Sequence, residues 1–235
     1  MKVAALAFLA IAILVFQACG DELEIVNIRV GQGDSTLILG PQSDNGDRVA
    51  VLFDAGDIPD RDGGSIIRSV LRKHGVTELD YFILSHDDAD HLGGVAFGGV
   101  HGSSFLLGFD DAPGAPGDDD GDGLADWLGD RPYFVPDAEE LGTGDDIRVH
   151  HFVDYGDDLM RNTQAIQKYQ GFANAMGERI TLNSQDDVDT FEIDLGNGAR
   201  MICFAANGFV RGRAGQVEGV TTPNERSLSF LVNYR

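Results

Sequence analysis

Apolar residues run unbroken from Val3 to Phe16, and the chain then turns polar at Gln17. Fourteen such residues fall short of the roughly 20 that a spanning helix needs. With Lys2 before them and Ala18, Cys19 and Gly20 after them, they read as an export leader over residues 1–18. Beyond the leader the pattern shortens to strand length. Leu23–Val30 and Ser35–Gly40 are predicted strands joined by the Gly-Gln-Gly-Asp turn at 31–34, and Arg48–Phe53 is a third, ending on Asp54. Ile66, Ile67, Val70, Leu71 and His74 recur at helical spacing between Ser65, a capping residue, and Gly75, a stop. Leu79–Leu84 is nearly all apolar, as expected of a strand buried on both faces. Periodicity fades from Gly108 to Asp137, a Gly-, Pro- and Asp-rich segment that reads as an insertion. It returns with a strand at Ile147–Val153, a helix at Thr163–Met176 with Gly171 as a candidate break, and strands at 178–182, 190–195, 199–206 and 226–234. This order predicts one α/β domain over 19–235 with a mixed sheet, not a strictly alternating parallel one.

The chemistry concentrates directly after the strand at 79–84. His86-Asp87-Asp88-Ala89-Asp90-His91 packs two imidazoles and three carboxylates into six residues. Alternate residues of an extended loop project to one side, so His86, Asp88 and Asp90 converge, and His91 follows at once. Imidazole nitrogen and carboxylate oxygen are ligands shared by Zn²⁺, Mn²⁺ and Fe²⁺. Two of each suit two ions better than one closed tetrahedral site. A helix cap needs one Asp or Ser, so capping alone does not account for the cluster.

These residues resemble the H-x-[HD]-x-D-H signature of the metallo-β-lactamase superfamily. The wider pattern is similar to its ComEC-like branch, the hydrolase domain of a bacterial competence protein. Val30–Ile38 resembles the branch's opening strand-turn-strand, and "VLFDAGD" resembles the strand that ends in its first structural Asp, here Asp54. Asn224, Ser227 and Leu228 match its N-x-x-S-L strand. The resemblance implies an αββα fold with mixed sheets. It implies that His86 and Asp88 hold one ion, Zn²⁺ or Mn²⁺, and that Asp90 and His91 hold a second, with Asp90 also accepting a proton in catalysis. Asp54 is expected to orient the surrounding loops, and Asp34 and Asn224 to lie at the rim. The implied activity is metal-activated water attacking a phosphodiester or other ester. The branch completes its site with an Asp in a Gly-Asp pair and a later His. Both are expected after the strand that corresponds to Ser227–Tyr234, where the sequence stops at Arg235, so the sequence is expected to be a fragment. His150 or His151, and more weakly His101, are candidates for a middle histidine ligand.

Composition adds three constraints. The formal net charge of -22 repels polyanions, which argues against stable nucleic-acid binding over the whole surface. It leaves small-molecule or phosphodiester substrates open, because bound cations reverse the local sign. Ala18-Cys19 resembles a bacterial lipobox, with Cys19 the lipidated residue, so a membrane-anchored envelope protein or a secreted one is expected; Cys203 then has no partner and is read as a core residue. Finally, Asp118, Asp120, Asp122, Leu124 and Asp126 occupy the first five ligand positions of a calcium loop, but Gly129 stands where a full EF-hand has its bidentate Glu. The alternative function is therefore a non-catalytic, calcium-binding cell-surface lipoprotein built on a truncated hydrolase fold.

Overall fold

The computed structural model describes residues 22–56, 63–96 and 147–234. The leader, Cys19, His101 and the acidic loop with Asp118, Asp120, Asp122, Leu124 and Asp126 lie outside them. No described helix is long and apolar enough to cross a membrane.

Strands β1 (Glu24–Asn27), β2 (Thr36–Leu39) and β3 (Ala50–Phe53) form an antiparallel meander. β4 (Glu78–Ile83), β5 (Arg148–Asp154) and β6 (Glu178–Thr181) continue it in parallel, giving one mixed six-stranded sheet in chain order. The apolar pairs near the carboxyl ends of β4 and β5, Phe82-Ile83 and Phe152-Val153, follow from burial on both faces. On β4, Phe82 enters one hydrophobic cluster and its neighbour Ile83 the other.

The first cluster lies under helices α1 (Gly63–Lys73), α2 (Ala89–Ala96) and α3 (Gln164–Met176). It joins Leu37, Leu52 and Phe82 of the sheet to Ile67, Leu71, Leu92 and Phe172. The second cluster lies between the six-stranded sheet and a smaller one made of β7 (Glu192–Gly196), β8 (Ala199–Ala206), β9 (Phe209–Val210) and β10 (Ser229–Asn233). There Ile38, Val51, Ile83 and Val153 meet Ile193, Leu195, Met201 and Cys203. Each such fully buried aliphatic side chain contributes roughly 1.5–3 kcal/mol, so this interface fixes the second sheet firmly against the first.

The structure confirms an α/β domain and corrects its details. The strands are divided between two sheets, and the smaller is antiparallel throughout. The strand read over Leu23–Val30 pairs only at Glu24–Asn27, because the chain then turns inward and buries Ile28 and Val30. Gly171 does not interrupt α3, whose cap is Thr163, its hydroxyl accepting from the Ile166 N–H at 3.3 Å. Two short helices replace segments read as loop or strand: α4 (Gln185–Thr190) and α5 (Pro223–Arg226), each with a reciprocal capping box.

Candidate metal centre

Parallel register brings the candidate site together. Phe53 of β3 pairs with Ile83 of β4, so the residues just beyond these strands emerge side by side at their carboxyl ends, where α/β sheets place ligands. Asp54 turns there with φ 58, a left-handed conformation that Asp tolerates better than most residues. Its N–H donates to the Ile83 carbonyl at 2.9 Å, and the Ser85 carbonyl accepts from the Leu228 N–H at 2.9 Å. The sequence reading placed the whole ligand cluster in a loop. Instead, Asp90 and His91 lie in the first turn of α2, with the His91 N–H donating to the Asp88 carbonyl at 3.0 Å.

Glycine permits this close assembly. A Cβ on Gly33, which has φ +80, would lie 1.7 Å from the Asp90 carbonyl oxygen, and one on Gly94 would lie 2.6 Å from the Ala55 oxygen. The 31–34 turn thus sits directly on the backbone of Asp90.

Asp54 is the hub of the hydrogen bonds. It is 2 % exposed. Its Oδ1 accepts from the Ser85 N–H at 2.7 Å, and its Oδ2 accepts from the Ser85 hydroxyl at 2.6 Å and from His91 Nδ1 at 2.8 Å. The Ser85 hydroxyl has one proton, and Asp54 receives it. His86 Nδ1, 2.9 Å from the same oxygen, must therefore be the N–H donor, which leaves Nε2 with its lone pair. That Nε2 is buried with no hydrogen-bond partner, and the atom facing it is Asp88 Oδ2 at 3.3 Å. His91 repeats the arrangement more loosely: Nδ1 is held by Asp54, and Nε2 lies 4.0 Å from Asp90 Oδ1. The two rings are 3.9 Å apart, centroid to centroid.

For His86 the electrostatics agree with this proton count. Burial, reinforced by the neighbouring His91, pulls His86 below the ordinary imidazole range and favours its neutral form. Burial also opposes charge on His91, but the Asp54 hydrogen bond and charge outweigh it and raise His91. Burial raises the Asp54 carboxyl against the hydrogen bonds from His91 and Ser85. Both directions favour proton binding by the Asp54–His91 pair, so an ion at His91 Nε2 would have to displace a proton there.

The residues fit a divalent cation. Two lone pairs facing each other without a proton between them ask for a positive centre. With bonds of about 2.0 Å, tetrahedral ligand atoms sit roughly 3.3 Å apart, which is the His86–Asp88 spacing. Asp54 supports both imidazoles from behind, as a carboxylate does in carboxylate–histidine–metal arrangements. Among the described residues, no three or more His, Cys, Asp or Glu side chains form a ready-made metal-holding group; the four candidate side chains stand as two pairs.

Other sequence candidates fall in different places. The Asp34 carbonyl accepts from the Gly56 N–H at 2.9 Å, and the Asp34 carboxylate is near enough to raise His91. Asn224 reaches the site, its amide donating to Asp88 Oδ2 at 2.8 Å. His150 and His151 do not reach it. His150 pairs with Glu78 at the start of β4, and His151 lies opposite Tyr81 and on its ring. His151 thus lies level with the middle of β4, and His150 contacts its start, so neither stands at the carboxyl ends where His86 and Asp88 follow.

The site also contains side chains that the sequence reading left without a role. Asp87, 2 % exposed, turns away from the ligand pairs. Its Oδ1 accepts from the Tyr155 hydroxyl at 2.6 Å, and its Oδ2 accepts from the Arg161 N–H at 2.7 Å and Nε at 3.0 Å. Burial pushes the Asp87 carboxyl up, but these hydrogen bonds together hold it below its usual range. Ser85 carries no sequence signal beyond adjacency to His86, and Arg161 is 73 residues from Asp88. Among known proteins, no family model and no curated sequence matches the chain.

Proposed function

We propose that the chain is a metal-dependent hydrolase of the metallo-β-lactamase type, closest in pattern to the ComEC-like branch, acting on a phosphodiester or other ester. The observation that carries this reading is the buried His86 Nε2, stripped of its proton by the Ser85–Asp54 relay and facing Asp88 Oδ2. The helix–sheet–sheet layering of the described residues is compatible with an αββα fold.

His86 and Asp88 would hold one Zn²⁺ or Mn²⁺, and Asp90 and His91 a second. Divalent ions so bound supply Lewis acidity and make water a competent nucleophile at neutral pH. The chain's own groups do the rest. Asp54 keeps the proton on His91 Nδ1, and through Ser85 on His86 Nδ1, so Nε2 is the atom that each imidazole would turn to an ion. Asp90, 30 % exposed in its side chain, stands at the open side of the pair and accepts the proton of the attacking water. Export with a lipid anchor at Cys19, and calcium ordering of the loop at Asp118–Asp126, belong to the same proposal.

The test is turnover of bis(4-nitrophenyl) phosphate by the purified full-length protein with Mn²⁺ or Zn²⁺. Asp90→Ala is expected to abolish it. Equal rates in wild type and variant would sink the assignment.

A further inference from the structure

Asp88 is gripped at both carboxylate oxygens by residues that coordinate nothing. Arg161 Nη2 donates to Oδ1, and Asn224 Nδ2 donates to Oδ2 at 2.8 Å. Oδ2 is the oxygen that faces His86 Nε2, and its second lone pair stays free while Asn224 uses the first.

Each gripping residue is itself fixed from outside the site. Arg161 is anchored by the buried Asp87, which Tyr155 holds from the other side. Asn224 sits on α5, whose capping box is closed by Glu225 accepting from the Thr221 and Thr222 N–H groups at 2.8 and 2.9 Å. Those hydrogen bonds lower the Glu225 carboxyl to about 2, so the cap persists across the working pH range. Arg226 of the same helix donates to the Leu159 carbonyl at 3.1 Å. The smaller sheet thus delivers one donor to Asp88, and the segment after β5 delivers the other.

We propose that Asn224 and Arg161 are positioning residues, a two-sided clamp that presets the Asp88 carboxylate against His86 Nε2 and so sets the affinity of that half of the centre. The inference rests on the metal reading above. A carboxylate in a loop otherwise loses its rotational freedom when it binds an ion; the clamp meets that cost during folding.

The test is calorimetric titration of metal-free protein with Mn²⁺. Asn224→Ala and the similarly sized Asn224→Leu, neither of which can donate, are each expected to weaken one of the two binding steps by about 10- to 100-fold. The other step and the melting temperature of the metal-free protein should not change, because Asn224 is exposed. Arg161→Lys, which keeps the charge but loses the fork between Asp87 and Asp88, should weaken the same step. Unchanged affinity in both Asn224 variants overturns the clamp alone. Equal weakening of both steps with a lowered metal-free melting temperature also overturns it, since that marks a merely structural role. No uptake by the wild type overturns the clamp together with the metal reading.

Discussion

Substituting Asn for Asp54 preserves the side-chain shape and suits the φ of 58, because Asn adopts the left-handed region as readily as Asp. What changes is the charge and one acceptor. With the amide oxygen kept on the Ser85 N–H, an NH₂ group replaces Oδ2 and confronts two donors, the Ser85 hydroxyl at 2.6 Å and His91 Nδ1 at 2.8 Å. Both must reverse. The Ser85 hydroxyl turns toward His86 Nδ1, and the protons of both imidazoles move to Nε2. Two charge-assisted hydrogen bonds, each contributing about 1.5–3 kcal/mol, are lost. Release of a buried charge that burial already disfavours offsets part of this, for a net cost of about 2 kcal/mol. At 2–4 °C per kcal/mol for a chain of this size, the metal-free melting temperature should fall by roughly 4–8 °C. Since neither Nε2 then offers a lone pair without losing a proton, Mn²⁺ or Zn²⁺ affinity should fall by about 10- to 100-fold. Differential scanning fluorimetry reads the first quantity, calorimetry the second, and long-range ¹⁵N–¹H spectra report the tautomers. A variant that loses stability but keeps wild-type affinity and Nδ1–H tautomers would refute the proton relay.

Two further outcomes follow from local geometry, and a third from the sequence of the acidic loop. Gly33→Ala should cost roughly 2–4 kcal/mol and abolish hydrolysis, because the new Cβ drives against the Asp90 carbonyl; a melting temperature within 1 °C of wild type (about 0.3 kcal/mol) would show that the 31–34 turn is not held there. Burial pushes the Cys203 thiol up to about 12, so its peptide should resist iodoacetamide at pH 8 until the protein unfolds; rapid labelling of native protein contradicts the buried interface between the sheets. Millimolar calcium should raise the melting temperature of wild type but not of Asp118→Ala/Asp120→Ala, and no shift in wild type removes the loop proposal.

The elements most legible in the sequence were those whose pattern is set by burial. β4 is apolar because it is covered twice, and α1 shows its stripe because only one side is covered. α2 was hidden because Gly93 and Gly94 weaken helical propensity, yet Gly94 is needed where the helix meets the Ala55 carbonyl. α4 and α5 did have signals: Ser184 with Asp187, and Thr222-Pro223 with Glu225, are capping boxes that a search for strands passed over. The division into two sheets was implied only by the resemblance to an αββα fold, since alternation along a strand says which face is apolar but not what covers it. At the site, spacing gathered His86, Asp88, Asp90 and His91 into one cluster, and only the family resemblance implied how they pair. The Ser85 relay and the Arg161 grip depend on contacts across 31 and 73 residues, for which local pattern carries no information.

The central claim is that His86 Nε2 and Asp88 form one half of a two-ion centre. Its most direct test is the titration of metal-free wild type and His86→Ala with Mn²⁺ or Zn²⁺, counting ions bound per chain. The account expects about two ions in the wild type and about one in the variant. No uptake by the wild type, or a count and affinity untouched by the loss of His86, would contradict it.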